Sequence, residues 1–333
     1  MDRRNPQGSE RCIAIDAMGG EGGPDTTVPA TLSALKRHPE MTVLLVGDEE
    51  RIAPALELAR ADTALLSRLQ LCHTPDVFLD TDKPAAVLRS GQDTSIYRCI
   101  ELHRQGLASA VVSAGNTGAL LMLGRHLLKT ITGIELPAIV ATLPLSGSNT
   151  LLLDVGANLA CSPLHLEQFA IMGSVLARAQ FDCAPRVALL NVGAEDYKGT
   201  DDVRAAAELL ESSPAIDFLG FLEANQVFSG LAEVIVCNGF VGNVMIKASA
   251  GAANAVRAEV LRAQSDSAGA QTGSAALDLL NPQRFNGASL LGLCGNVIKS
   301  HGNADVLGFS CAIDQAYREQ TADIPELIRQ AVA

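Results

Sequence analysis

The sequence predicts a three-layer α/β/α fold, an α/β architecture that is built on a largely parallel β-sheet. Short apolar runs alternate with longer segments of helical periodicity along most of the 333 residues, and this alternation is typical of β-α-β units. Aromatic residues make up only 4% of the chain and Trp is absent, so Leu, Val, Ile and Ala must fill the interior. Such interiors suit parallel strands that are covered by helices on both faces.

The first half of the chain begins this alternation with three strands and three helices. A turn at Gly19-Gly20 ends the first strand, and Gly47 ends the second. Gly106 is placed to cap the long second helix, because glycine readily adopts the conformation that closes a helix C-terminus. The predicted strands are 12–16, 42–46 and 108–113, and the predicted helices are 25–36, 84–104 and 117–129.

The second half continues the same alternation. Ser162 and Pro163 predict a helix start, since a capping hydroxyl is followed by proline in the first turn. Residues 264–276 are small and polar, which is typical of a flexible loop, and a short apolar segment at 288–293 precedes two closing helices. The predicted strands are 138–143, 151–155, 186–192, 218–223 and 234–237, and further helices start at 163, 201 and about 241.

The chain shows no internal repeat and no clear linker. We therefore expect a disordered tail over residues 1–10 and a single domain over 11–333, with a flexible or helical excursion near 255–285. A second lobe inserted into that domain is the alternative.

Charge, cysteine spacing and hydropathy exclude several classes of protein. The formal net charge of -12 argues against broad nucleic-acid binding, which requires a basic surface. The eight cysteines form no C-x-x-C pair, so neither zinc nor a redox pair is indicated, and we expect reduced, buried thiols.

The first residues are polar and do not resemble a signal peptide, and no apolar run is long enough to cross a membrane. We expect a cytoplasmic protein.

Four loops rich in glycine and asparagine follow predicted strands, at 113–118, 154–158, 191–199 and 237–243. Because the carboxyl ends of parallel strands meet at one edge of a sheet, these loops are expected at the edge where such folds bind ligands. Glycine lets a backbone approach a ligand closely, and a following helix N-terminus favours an anion. The loops predict a phosphate site, although tight turns account for the same residues.

No nucleotide-binding or hydrolase motif accompanies these loops. The chain contains neither G-x-x-x-x-G-K-[ST] nor G-x-G-x-x-G nor G-x-S-x-G. Lys198 lies just past a strand end and could bind a phosphate or an oxyanion, or it could be a solvated lysine. His301 could be a general acid or base or a structural histidine. Asp16 could orient a loop or cap a helix.

Seven short segments of the chain form an ordered set of motifs. They are IAIDAMGG at 13–20, SAGNTGAL at 113–120, LDVGAN at 153–158, FAIMGS at 169–174, KG at 198–199, GFVGN at 239–243 and VIKSHG at 297–302. Taken in this order, they resemble the bacterial acyl-carrier-protein:phosphate acyltransferases, the PlsX family. The resemblance extends from about residue 12 to 317.

The resemblance implies an enzyme that makes acyl phosphate from long-chain acyl-carrier protein and inorganic phosphate, for phospholipid synthesis. It also implies a fold like that of phosphotransacetylases and isocitrate dehydrogenases, a homodimer, and association with the membrane periphery through a helical hairpin. No metal, nucleotide or other cofactor is required. A lysine that matches Lys198 is essential in the family.

These considerations select two groups of residues. The predicted catalytic residues are Lys198, His301 and Asn238. The predicted substrate- or phosphate-binding residues are Asp16, Gly19, Gly20, Ser113, Gly115, Asn116, Thr117, Gly118, Asp154, Gly156, Asn158, Asn191, Gly193, Gly239, Gly242, Asn243 and Lys299. Phosphate is assigned to the loops 113–118 and 191–199. Since a thiol pKa is about 8.5, the leaving thiolate needs little protonation, and catalysis would rest on positioning phosphate and stabilising an oxyanion.

The chain departs from the family pattern at four charged positions. Asn238 replaces an aspartate, Leu136 an arginine, and Ala160 and Ala250 replace acids. These losses motivate a second hypothesis, a non-catalytic relative that binds acyl-carrier protein or phosphate and regulates lipid synthesis. The hairpin region near 255–285 is poor in bulky apolar and basic residues, so we expect weaker membrane association than is usual in the family.

Overall fold

The structure is a computed structural model that describes residues 11–60, 62–79, 81–144, 149–265 and 280–333. The chain divides into two compact units, which are described separately. The first unit extends to Pro137 and resumes at Asn286, and the second unit comprises residues 138–285. The second unit is thus inserted in the sequence of the first. A single acyltransferase domain over 11–333 stays a prediction.

Short strands and longer helices alternate in both units. The described strands are β1 (Cys12–Asp16), β2 (Thr42–Gly47), β3 (Leu69–His73), β4 (Ala110–Ser113), β5 (Ala138–Pro144), β6 (Asn149–Leu153), β7 (Arg186–Asn191), β8 (Asp217–Glu223), β9 (Val234–Val236), β10 (Ala288–Leu291) and β11 (Asn296–Lys299). The described α-helices are α1 (Pro24–Arg37), α2 (Glu49–Leu58), α3 (Thr63–Leu66), α4 (Val87–Ser90), α5 (Ser95–Arg104), α6 (Thr117–Leu123), α7 (Pro163–Phe181), α8 (Asp201–Ser212), α9 (Gly239–Ser265), α10 (Val306–Ala322) and α11 (Ile324–Ala331).

Both units contain a largely parallel sheet, which confirms the predicted fold class. In the first unit the strand order is β3-β2-β1-β4-β11-β10, and only β10 is antiparallel to its neighbour β11. In the second unit the order is β5-β6-β9-β7-β8, and only β5 is antiparallel, to β6. The carboxyl ends of β1, β4 and β11 therefore lie side by side, as do those of β6, β9 and β7.

The core of the first unit forms between its sheet and the helices α1 and α10. Ile13 and Leu45 on the strands are fully buried, as are Leu35 on α1 and Phe309 on α10. Apolar side chains on alternate strand positions reach this core because successive residues of a strand point to opposite faces. The aliphatic interior that the composition predicts is present, and Phe309 is a rare aromatic within it.

The predicted helix 84–104 is wrong as one continuous element. A 3-10 turn at Pro84–Ala86 leads into α4, and α5 begins only at Ser95. The interruption has a tertiary cause, because Asp76 pairs with Thr94 in a parallel bridge and Ser95 N–H donates to the Asp76 carbonyl at 3.2 Å. A chain segment from outside the helix takes the hydrogen bonds that would have continued it.

Other predicted boundaries also shifted. Strand β3 was not predicted, because Gln70 and His73 are exposed and the strand lacks a continuous apolar run. Helix α9 continues to Ser265, two residues into the segment that was predicted as a loop from 264 to 276. Most of that loop, and residues 266–279 of the predicted excursion, lie outside the described residues. Within the described ranges, no helix has the length and hydropathy that crossing a membrane requires.

Candidate functional site

Asp16 organises the carboxyl edge of the sheet in the first unit. It follows directly from β1, is 1% exposed, and accepts hydrogen bonds of 2.6 Å from the hydroxyls of Ser95 and Ser113. The Met18 N–H donates to the same carboxylate at 3.2 Å. Burial raises the pKa of Asp16, while these donated bonds act in the opposite direction. The side chain is directed into the protein, so it orients loops rather than presenting its oxygens to a ligand.

The turn after β1 packs directly against the loop 113–118. A Cβ atom on Gly19 would lie 2.7 Å from the Gly115 nitrogen and 2.8 Å from Asp16 Oδ2, so only glycine fits this approach. Ser113 is also fully buried, and its hydroxyl accepts a 3.0 Å hydrogen bond from the Gly115 N–H. The predicted residues Asp16, Gly19, Ser113 and Gly115 therefore form one connected cluster.

Asn116 begins α6. Its side-chain oxygen accepts a 3.0 Å hydrogen bond from the Ala119 N–H, and its amide nitrogen donates to the Asp82 carbonyl at 3.4 Å. Thr117 is exposed at the start of the helix. A Cβ on Gly118 would lie 2.6 Å from Pro84 Cγ. The segment around Pro84 thus packs on the loop 113–118, a contact that the sequence did not reveal.

The end of β11 closes the same cluster. Lys299 Nζ donates to the carbonyls of Ala114 at 2.8 Å and Ser300 at 2.6 Å. Lys299, which was predicted to bind substrate or phosphate, therefore supports the loop backbone.

His301 is exposed, and its N–H donates to Asn286 Oδ1 at 3.0 Å. The next residue is Gly302, whose carbonyl accepts a 2.7 Å hydrogen bond from the Glu21 N–H. The stretch that contains His301 is therefore fixed close to the turn after β1 and Gly20.

Asp154 has the corresponding position in the second unit, directly after β6. It is fully buried and accepts backbone hydrogen bonds of 2.7 to 3.1 Å from Ile139, Gly156, Ala157 and Asn158. The Asn158 amide adds a fifth bond at 3.0 Å. Burial raises the pKa of Asp154, and the donated bonds oppose that effect. The carboxylate holds the loop 154–158 in shape from inside.

The start of α9 packs on this loop. The Gly239 N–H donates to the Asn158 carbonyl at 2.7 Å. A Cβ on Gly242 would lie 1.9 Å from the Asp154 carbonyl oxygen. Asn243 donates to the Val155 carbonyl at 3.1 Å, next to Gly156. The predicted residues of the second and fourth loops thus form a second cluster, and most of their polar atoms serve its internal structure.

Asn238 is the N-cap of α9. Its side-chain oxygen accepts a 2.9 Å hydrogen bond from the Val241 N–H. Asparagine and aspartate cap helices about equally well, so replacement of the family's aspartate preserves this role. The geometry gives Asn238 a structural function, and its predicted catalytic role stays a prediction.

Lys198 lies in the loop that follows β7. Its ammonium is 2.7 Å from Glu195 Oε2, and its side chain is 38% exposed. This hydrogen bond from Lys198 lowers the pKa of Glu195. Asn191 shapes the loop, since its amide donates to the Lys198 carbonyl at 3.1 Å. A Cβ on Gly193 would lie 2.3 Å from Lys198 Cδ, so this glycine leaves the space that the lysine stem occupies.

Two buried cysteines lie beside the Asp154 cluster. Cys237 is 3.5 Å from the Asp154 carbonyl, and Cys161 is 3.9 Å from the Asn158 carbonyl. Burial raises the pKa of Cys161 to about 11 and raises the pKa of Cys237 as well. Thiols with raised pKa values are poor nucleophiles near neutral pH. No cluster of three His, Cys, Asp or Glu residues suited to a metal occurs in the part of the chain that the structure describes.

Sequence reasoning missed three residues that contact predicted site residues. Ser95 binds Asp16 from 79 residues away, and Pro84 contacts Gly118; no local pattern predicts either contact. Glu195 was detectable, because an acid three residues before Lys198 is a suitable partner for an ion pair.

Comparison with known proteins agrees with the motifs. The family model described as "Fatty acid synthesis protein" matches residues 12–327. The phosphate acyltransferase of Shewanella amazonensis is 45% identical over 328 residues, and that of Vibrio campbellii is 44% identical over 326 residues. Each alignment covers 95% of this chain and 95% of the relative.

Solved structures show the same fold at low sequence identity. A phosphotransacetylase from Streptococcus pyogenes matches with a TM-score of 0.63 and 18% identity, covering 93% of this chain and 94% of the other. The EutD phosphotransacetylase from Staphylococcus aureus gives a TM-score of 0.60 and 15% identity over the same shares. The family model and the close relatives span nearly the whole chain, and the protein therefore belongs to the fatty acid synthesis protein family, the PlsX family that its motifs predicted.

Proposed function

We propose that this protein is a phosphate acyltransferase, which transfers a long-chain acyl group from acyl-carrier protein to inorganic phosphate and so forms acyl phosphate. The observation that carries the proposal is the 45% identity to a phosphate acyltransferase over 95% of both chains. The buried carboxylates that shape glycine loops at strand ends support it, because such loops position small anions close to the backbone.

The reaction needs few protein groups. A phosphate oxygen attacks the thioester carbonyl carbon, a C–O bond forms, and the C–S bond breaks as the tetrahedral intermediate collapses. The sulfur leaves as a thiolate and takes a proton from solvent. The protein must therefore hold phosphate against the thioester carbonyl carbon and offset the charge of the oxyanion.

We assign to Lys198 the role of offsetting the negative charge of the phosphate or the oxyanion. Its ammonium is half-exposed and already holds one carboxylate oxygen, from Glu195, at 2.7 Å. A phosphate or oxyanion oxygen would replace or join this partner. Lys198 need not change its protonation state, because its role is electrostatic. His301 remains a candidate for proton transfer, since its side chain is exposed.

Phosphate contacts are proposed for the loop 113–118 and for the loop 191–199, each within its own unit. Variants in each loop test the two assignments independently. Acyl-carrier protein as the acyl donor, a homodimer, a cytoplasmic location and weak association with the membrane periphery belong to the same proposal. The carrier is acidic and this chain has a net charge of -12, so docking would require a local Arg or Lys patch.

Incubation of the purified protein with palmitoyl-carrier protein and phosphate tests the function. Acyl phosphate is trapped with hydroxylamine while the released carrier thiol is titrated, and both products must appear in equal amounts and depend on phosphate. The absence of acyl phosphate at millimolar phosphate would exclude the proposal and leave the non-catalytic, carrier-binding alternative. Lys198→Ala should lose most activity, whereas Lys36→Ala, which removes an exposed lysine from the last turn of α1, should retain it.

A further inference from the structure

The segment between β3 and α5 is fastened at both ends and packs on the loop 113–118. Asp76 pairs with Thr94 at its base, and the side chain of Val87 is fully buried farther along. Between these anchors, the Asp82 carbonyl accepts the 3.4 Å bond from the Asn116 amide. The next contact is that of Pro84, whose Cγ lies 2.6 Å from the position of a Cβ on Gly118.

Lys83 stands between these two contacts. Its backbone is extended, with φ -66° and ψ 123°, and its carbonyl accepts the Ala86 N–H at 2.8 Å. The residues on either side touch the loop, which places the Lys83 backbone directly beside it, and the side chain is exposed. Among the residues that the structure describes, no ion pair or hydrogen bond engages its ammonium.

Two neighbouring charged side chains already have hydrogen-bond partners. Asp82 Oδ2 accepts the Leu79 N–H at 2.8 Å, and Lys299 Nζ donates two hydrogen bonds to backbone carbonyls. Asp16 lies beneath the loop, where its Oδ2 is 3.3 Å from the position of a Cβ on Gly115. A phosphate at this loop would bring negative charge close to that buried acidic side chain, and a cation on the solvent side would stabilise it.

We infer that Lys83 binds a phosphate oxygen at the loop 113–118. The inference rests on the proposed function for the identity of the anion, and it adds a binding residue that the motif analysis did not select. Lysine suits the role, because its ammonium is a compact charge on a flexible stem that tolerates phosphate in more than one orientation.

Kinetics with matched variants test the inference. Loss of one charged contact should raise the phosphate KM of Lys83→Gln by about tenfold, with little change in the KM for palmitoyl-carrier protein, and Lys83→Arg should restore most of the affinity. Lys36→Gln is the matched control. It also removes one lysine charge, but Lys36 lies in the last turn of α1, close to Met41 and away from the loop. It should leave both KM values unchanged. An unchanged phosphate KM in Lys83→Gln would overturn the inference.

A binding measurement separates this inference from the function. Phosphate raises the melting temperature of a protein that binds it, so the dependence of Tm on phosphate concentration is compared for the unaltered protein, Lys83→Gln and Lys36→Gln at constant ionic strength. The phosphate-dependent rise should shrink only in Lys83→Gln. If all three rise equally, Lys83 does not bind phosphate, even where the acyltransferase assay succeeds. A failed assay together with a shift lost only in Lys83→Gln would overturn the function and keep the phosphate contact.

Discussion

The Lys198 ammonium lies 2.7 Å from Glu195 Oε2, within one loop that follows β7. The pair is exposed, so each partner is free to exchange for solvent or for a ligand. Exposed ion pairs contribute about 0–1 kcal/mol, a strength that a phosphate dianion can outcompete. Phosphate can therefore displace Glu195 from the Lys198 ammonium.

Replacing the acid of this pair should strengthen phosphate binding. Glu195→Gln removes a negative charge that competes for Lys198, and the phosphate KM should fall by about two- to fivefold, in line with the strength of an exposed ion pair. Steady-state kinetics at varied phosphate measures the change. Glu208→Gln, an exposed acid on α8, is the matched control. A higher KM in Glu195→Gln would mean that the acid orients the lysine rather than competing for it.

Neutralising Asp154 should destabilise the protein. Both carboxylate oxygens accept hydrogen bonds, from four backbone N–H groups and one amide, and asparagine would present an NH₂ group to some of these donors. We expect Asp154→Asn to lower the free energy of unfolding by about 2–4 kcal/mol. Urea denaturation measures this, and Asp217→Asn, at an exposed position of β8, should change it by less than about 0.5 kcal/mol. Equal effects would contradict the role given to Asp154.

Two glycines of α9 should respond in opposite directions to alanine. Gly242→Ala places a methyl group 1.9 Å from the Asp154 carbonyl oxygen and should cost about 3 kcal/mol or more of stability. Gly251 has no atom of the described residues within 4 Å of its Cβ position, so Gly251→Ala should gain about 0.5–1 kcal/mol from helix propensity. Thermal melts of both variants measure these changes in stability. If Gly242→Ala is as stable as the unaltered protein, α9 does not pack as closely on the Asp154 carbonyl as in this structure.

Glu319 should make stability depend on pH. It is buried on α10, where the Ser289 hydroxyl and the Gln315 amide donate to it, and burial raises its pKa from 4.5 to about 7. Between these values the native state holds a proton that the unfolded state has lost, so this group makes stability fall as pH rises from about 4.5 to 7 and contributes no further slope above that.

The neutral variant Glu319→Gln removes this titration. Its stability relative to the unaltered protein should rise between pH 5 and pH 7.5 by about 1–3 kcal/mol, measured by urea denaturation at each pH. The exposed acid Glu57, replaced by glutamine, serves as control. A difference that does not vary with pH would refute the raised pKa.

Local sequence determined much of the fold. Alternating apolar runs and helical periodicity located most strands and helices, because side-chain spacing reports which face of an element is buried. Glycine and asparagine at strand ends located the loops that Asp16 and Asp154 hold in place. The sequence also revealed that asparagine replaces the family's aspartate at position 238, and this asparagine caps α9.

Tertiary structure alone decided which residues meet. Ser95 reaches Asp16 across 79 residues, and Asn243 reaches Val155 across 88, because strand order, rather than sequence distance, sets the neighbours of a strand end. The same long-range pairing, Asp76 with Thr94, interrupted a helix that local periodicity favoured. Local patterns specify backbone conformation through nearby side chains, whereas hydrogen-bond partners and contacts such as that of Pro84 with Gly118 exist only once distant segments have packed.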